Sequence, residues 1–277
     1  MTLAPTTVRT FAFAATLASA SLASAHEFWL QPDDFTPASN SIVRLHLMVG
    51  DGFPGEVVAR NPDKLLRLTA LTTGGAAEIP GRPGADPAGM MRVAGDDMLT
   101  VVYLSGNSSV SLDAQKFEDY LKTDGLEHVI ARRAELGQSA LPGREVYARC
   151  SKSLLRVGAG ASEGFALDAG LPLELFPLSN PYDLAPGDAI SFRLDYLDAP
   201  LADRLVVARR QSDPATLISA RTDSRGQVSL TLPDAGMWLI SSVHMVPAAD
   251  DANADWQSYW ASFTFDLQPA SAASVDK

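Results

Sequence analysis

Seven short runs of alternating or continuous apolar residues fill the last hundred positions of the chain, and each is closed by turn residues. They fall at 173–176, 189–197, 204–209, 216–221, 227–232, 237–246 and 260–267. Between them stand Pro186-Gly187-Asp188, Asp198-Ala199-Pro200, Asp223-Ser224-Arg225-Gly226 and Pro233-Asp234-Ala235-Gly236. Strands this short, spaced this evenly and punctuated this way cannot bury a helix-period stripe. They predict stacked antiparallel sheets of the sandwich kind.

The first half repeats the theme with one interruption. In 41–49, Val43, Leu45, Leu47 and Val49 share one face while Arg44, His46 and Met48 share the other, and Gly50-Asp51-Gly52 ends the run. Further strands are expected at 65–71, 91–94 and 98–104, and at 146–157, where the pattern also allows a helix. The stretch 74–89, rich in Gly, Pro and Ala, reads as a loop. Asp113 can cap a helix in which Phe117, Tyr120 and Leu121 lie at helical spacing. Gly125 breaks it, Leu126, Val129 and Ile130 carry a second stripe, and Gly137 ends it. The expected fold class is all-β: two β-sandwich-like modules, at 26–157 and 165–268, with a short helical insert near 113–137. A Gly-rich linker lies at 158–164 and a flexible tail at 269–277.

The first 25 residues have the layout of a secretory signal peptide. They carry one charge, Arg9, then an apolar run from Thr10 to Leu22, then Ala23-Ser24-Ala25. Cleavage there leaves 252 residues beginning at His26, and the periplasm is the expected address. The whole chain has a net charge of −11. That balance argues against nucleic acid as a partner. No later run reaches the roughly 20 apolar residues of a spanning helix, so no direct membrane span is expected. Cys150 is the only cysteine. It has no disulfide partner within the chain and reads as a small core residue.

A chain that begins at His26 offers two nitrogens from one residue, the free α-amine and the imidazole Nδ1, which can close a chelate ring on a transition metal. The amine ionises near pH 7.7–8.0 in ordinary peptides, so a metal can displace its proton near neutrality. A further imidazole would complete a nitrogen-rich site of the kind that suits Cu(II) or Ni(II). His46 shares a strand face with Met48, a nitrogen and a thioether that suit copper. His128, beside Glu127, reads as part of a solvated helix face. Trp29, Trp238, Trp256 and Trp260 read as core packing before a sugar-stacking platform. No nucleophile triad, zinc-protease helix or phosphate loop stands out, and the chain is not expected to be an enzyme.

Two resemblances add to this. The segments Pro186-Gly187-Asp188, Ala199-Pro200-Leu201-Ala202, Arg221-Thr222-Asp223-Ser224-Arg225-Gly226 and Gly236-Met237-Trp238-Leu239 resemble the transthyretin-like, carboxypeptidase-regulatory-like sandwich. The chain after the signal is similar to a family of bacterial periplasmic proteins of unknown function, related to periplasmic components of nickel and cobalt uptake systems. That similarity rests on His26-Glu27-Phe28-Trp29-Leu30, Val49-Gly50-Asp51-Gly52-Phe53 and Lys116-Phe117-Glu118-Asp119-Tyr120-Leu121 with Gly125-Leu126. Arg144-Glu145-Val146-Tyr147-Ala148-Arg149, Asn180-Pro181-Tyr182, and Trp238-Leu239-Ile240 with Val243-His244-Met245 complete it. The resemblance implies metal held by the mature amino end, with His26 and His244 as counterparts of the family's ligands. The expected function is periplasmic binding of Ni(II), Co(II) or Cu(II) through His26, His244 and His46, as carrier or accessory to a membrane uptake system or another envelope protein. The alternative is an envelope adhesion, scaffold or glycan-binding module that takes no metal.

Overall fold

The computed structural model describes residues 27–160, 163–249 and 253–269. The expected signal segment, His26, part of the expected linker and nearly all of the expected tail lie outside the described residues. The first half contains β1 (Glu27–Pro32), β2 (Ile42–Gly50), β3 (Glu56–Val58), β4 (Leu65–Thr72), β5 (Gly75–Glu78), β6 (Gly89–Arg92), β7 (Met98–Ser105) and β8 (Ser108–Leu112). Then come α1 (Ala114–Thr123), α2 (Glu127–Glu135) and β9 (Gly143–Arg156). The second half contains β10 (Leu173–Pro177), β11 (Ala189–Tyr196), β12 (Ala199–Pro200), β13 (Leu205–Arg210), β14 (Asp213–Arg221), β15 (Gln227–Thr231), β16 (Gly236–Pro247) and β17 (Trp256–Leu267).

Among the described residues the protein is mostly β, with three sheets and two short helices. A nine-stranded sheet runs in the order β14-β13-β16-β17-β9-β7-β4-β5, with β8 also paired to β9. Its strands come from both halves of the chain, joined where β17 runs parallel to β9. One face is covered by the sheet β10-β11-β12 with β15. The other is covered by the sheet β1-β2-β3 with β6 and, beside it, by α1 and α2. The two sandwich-like packings therefore share one continuous middle layer.

Alternation along the middle strands decides what each face buries. On β16, Trp238 and Ile240 join the core against β10 and β11, together with Phe263 and Phe265 of β17. Their odd-numbered neighbours Met237 and Leu239 pack against Trp29, and Val243 and Met245 pack under the helices. On β2, Val43, Leu45 and Leu47 pack with Val101 and Tyr103 of β7. Cys150 is buried in the first of these cores, and burial pushes its thiol up to about 12. All four tryptophans are buried, which removes an exposed aromatic platform.

The helical insert follows its sequence signals. Asp113 accepts a hydrogen bond from the Lys116 amide at 2.9 Å, the N-cap contact expected of it. Gly125 ends α1 with a positive φ of 67°, and a Cβ there would stand 2.7 Å from the Leu205 Cβ. Only glycine meets both demands.

Some boundaries differ from the sequence reading. The 74–89 loop contains β5, four exposed residues held to β4 by backbone pairing alone, so no burial pattern marked it. The strand expected at 91–94 lies at Gly89–Arg92, where Gly89 passes close to Ile79 and Leu68. The last strand begins at Trp256, four residues earlier than expected, because polar Gln257 and Ser258 sit inside it.

One buried ion pair crosses from the middle layer to the outer sheet. Lys152 Nζ lies 2.8 Å from Glu174 Oε1, and the Glu174 oxygens also accept from the amides of Ala169 and Leu171. Every charged oxygen has a donor, which is what lets such a pair persist inside a core.

Candidate functional site

The first described residue of the chain is also the most constrained charged group at its amino end. Glu27 opens β1, opposite Gly50 of β2. Its Oε1 accepts from the Ser241 hydroxyl at 2.6 Å and from Arg209 Nη1 at 3.1 Å. Its Oε2 is buried and has no partner. Burial raises the Glu27 pKa, opposed by Arg209 and the Ser241 bond and reinforced by Asp51. Gly52, with φ of 96°, makes room for Arg209: a Cβ there would stand 2.8 Å from the Arg209 Cδ.

Glu27, Arg209 and Ser241 line a partly open pocket of about 100 Å³, together with Thr123 and Asp124 at the end of α1, Trp260 of β17 and the apolar side chains of Leu205, Val207, Leu217 and Val243. Asp124 is the C-cap residue of α1. Its carboxyl is pushed up to about 7, first by burial and then by the negative charges of Glu27, Glu145 and Asp51, with Arg209 working against them. The cavity thus holds two carboxylates and one guanidinium, and that guanidinium is already engaged by Glu27. Chemically, this is a place that favours a cation over an anion.

A third carboxylate is buried nearby. Glu145, on β9, accepts from Tyr120 at 3.1 Å and from Ser258, whose hydroxyl also receives Trp260 Nε1 at 3.1 Å. Burial pushes Glu145 up to about 7, and the three side-chain hydrogen bonds pull against that shift.

Of the three sequence-selected histidines, the structure describes His46 and His244. His26 lies outside the described residues. His46 is opposite Gln31 on β1, four positions along from Glu27, which is roughly 13 Å at strand spacing. Its Nδ1 is 2.7 Å from Asp86 Oδ1, while Met48 turns into an apolar cluster with Trp29 and Phe53. His244 is three residues beyond Ser241 on β16, so the two side chains leave opposite faces of the middle sheet. The His244 ring packs edge-on to Tyr196 of β11 at 4.5 Å, and its Nδ1 is buried without a partner. Burial first, then Arg204 and His128, lower its pKa to about 4.

His128 is the residue that sequence reasoning placed wrongly. It does not lie on a solvated face. Its Nε2 is 2.9 Å from the Met245 carbonyl and its ring stacks on His244 at 5.9 Å. Its helix-face charge neighbours gave no hint of a partner 117 residues away. Among the described residues, no three His, Cys, Asp or Glu side chains converge closely enough to hold a metal, and no helix is long and apolar enough to cross a membrane.

Comparison with solved structures finds the D0-D1 domain of intimin at 13% identity and a TM-score of 0.20, covering 86% of this chain and 97% of that one. A Salmonella alpha-2-macroglobulin mutant matches at 13% identity and a TM-score of 0.22, covering 88% of this chain and 23% of that one. No curated protein matches the chain. The family described as a domain of unknown function, DUF4198, matches residues 23–246, and the chain belongs to that family.

Proposed function

We propose that this is an exported transition-metal-binding protein of the periplasm, whose primary ligands are the α-amine and the imidazole of His26 once cleavage after Ala25 has exposed them. The ion is Ni(II), Co(II) or Cu(II), and the role is that of carrier or accessory to an uptake system. One observation carries the reading. Glu27 is locked to Ser241 and Arg209 in a small, partly open pocket that Asp124 also lines. The residue before it is held one peptide away, about 3.8 Å from Cα to Cα.

The chemistry is a chelate formed by one residue, with the amine deprotonated on binding. The bound ion would add positive charge beside Glu27 and Asp124, which share the single guanidinium of Arg209. The chain's own part is to fix the start of β1. The strand pairing with β2, the Ser241 bond and the Arg209 pair do so before any ion arrives, which lowers the ordering cost of binding. This reading leaves His46 and His244 out of the ligand set, since the first is turned to Asp86 and the second opens on the face of β16 opposite Ser241.

The reading is tested by recovering the protein from the periplasm and measuring its intact mass and metal content. It expects a chain starting at His26 that retains stoichiometric first-row divalent metal after gel filtration. A chain that starts elsewhere, or one that emerges metal-free from metal-supplemented cells and takes none up, contradicts it.

A further inference from the structure

The helical insert leaves and rejoins the middle sheet at one point. Leu112, the last residue of β8, pairs with Gly143, the first of β9. Everything between them, α1 and α2 included, is an excursion whose two ends touch. Such a segment can move without breaking a strand ladder, and contiguous units of this kind are what open below the level of global unfolding. The excursion is braced from inside. Arg133 of α2 lies 3.3 Å from Glu118 of α1, stands over the Phe117 ring at 4.8 Å and donates to the carbonyls of Gln138 and Leu141. Phe117 rests on Gly143, where any Cβ would strike its ring.

The contact beneath the insert is apolar, with acids set into it. Phe117, Leu121, Leu126 and Val129 pack with Val243, Met245, Trp256 and Trp260. Polar ties run from Tyr120 to Glu145 at 3.1 Å, from His128 to the Met245 carbonyl at 2.9 Å and from Glu127 to Arg221 at 2.7 Å. Glu145 is 1% exposed and its Oε2 has no partner. It meets Tyr120 of α1, Ser258 of β17 and, by register, Val110 of β8 and Trp256 of β17, with Tyr147 two positions along its own strand. Asp124, at the end of α1, faces β13 and β16 and feels the negative charges of Glu27, Glu145 and Asp51. The cations around the two acids are committed elsewhere: Arg209 to Glu27, Arg133 to Glu118, Arg144 to Asp255 and Lys64 to the Asn107 carbonyl. His128, His244 and Arg204 sit together at the α2 end of the contact.

We infer that residues 113–142 form a hinged two-helix cover that opens from the middle sheet as one unit, under the control of protons on Glu145 and Asp124. An ionised carboxylate shut beneath the cover lacks a donor for every oxygen, and opening lets water reach it. Burial, the largest cause for each, pushes both groups up to about 7 in the closed form, from ordinary values of 4.5 and 3.8. Protons therefore hold the cover down. Their contribution is complete below the ordinary carboxylate values and is lost as pH rises to about 7. The apolar contact keeps the open form a minor population throughout. Burial lowers His128 and His244, so these two act at the acid end and with the opposite sign.

The test is hydrogen–deuterium exchange of the full chain between pH 5.5 and 8, read by mass spectrometry and corrected for the intrinsic pH dependence of amide exchange. Peptides from α1 and α2 are compared with peptides from β16 and β17. The insert is expected to lose protection together, by at least about tenfold across this range, while the β16 and β17 amides far from it hold theirs. Glu145→Gln and Asp124→Asn should each reduce the pH dependence, and the double variant should abolish it. Insert protection that does not change with pH, that falls only in step with β16 and β17, or that keeps its wild-type pH dependence in both single variants overturns the inference. Should Glu145→Gln not fold, Asp124→Asn and the wild-type comparison of insert with sheet decide it.

Discussion

The carboxylate of Glu27 and the hydroxyl of Ser241 meet at 2.6 Å, joining the first strand of the outer sheet to the middle of β16 across 214 positions of sequence. The same carboxylate oxygen receives Arg209, so Ser241 supplies half of its hydrogen bonding. Ser241→Ala is expected to cost about 1–3 kcal/mol, the usual loss for a hydrogen bond to a charged group. Urea unfolding should show an earlier midpoint with an unchanged slope.

The buried pair of Lys152 and Glu174 should behave asymmetrically. Lys152→Met leaves a carboxylate at 3% exposure without its cation, a loss of about 3–5 kcal/mol. Adding Glu174→Gln removes the stranded charge; its one carboxamide oxygen still accepts from one of the Ala169 and Leu171 amides, which reach different oxygens of the native carboxylate. The double variant is therefore expected to be more stable than Lys152→Met alone, and denaturant unfolding of both checks the order.

Glu145 gives the fold a pH dependence of known sign. Its folded pKa, about 7, lies above the ordinary 4.5. The folded state therefore holds a proton that the unfolded state has released, and stability falls as pH rises from about 4.5 to 7. The slope from this group approaches about 1.4 kcal/mol per pH unit. Glu145→Gln mimics the protonated form. Thermal unfolding between pH 4.5 and 8 should show its curve flattened relative to wild type and its stability equal or higher at pH 8.

His244 contributes the opposite slope. Its folded pKa, about 4, lies below the ordinary 6.5. The unfolded state takes up a proton first, and stability is lost as pH falls from about 6.5 toward 4. By NMR, the His244 ring should stay neutral at pH 5, where an ordinary histidine is charged. Replacing it with phenylalanine should remove this part of the acid sensitivity.

Much of the fold could be read from local pattern. Val43, Leu45 and Leu47 alternate because one side of β2 is buried and the other is not, and Asp113 caps α1 through a neighbour three residues on. Cys150 was legible as core from its solitude. The pocket around Glu27 was not legible. Its parts come from β1, the end of α1, β13 and β16, and Glu27 reads locally as one more polar residue near the amino end. Arg209, 182 positions away, makes it a buried carboxylate. The same blindness hid His128, whose ring is fixed by a backbone carbonyl of β16. Long-range polar contacts leave no period in a sequence, whereas burial on a sheet face does.

The most direct measurement is a calorimetric titration of Ni(II) into two versions of the exported protein, one beginning at His26 and one carrying a single extra alanine before it. The extra residue moves the free amine off the imidazole-bearing residue and leaves Glu27, Ser241 and Arg209 in place. The account predicts tight one-to-one binding to the first and a loss of at least about a hundredfold, or some 2.7 kcal/mol, in the second. Equal affinities for the two, or no heat of binding with either, would contradict it.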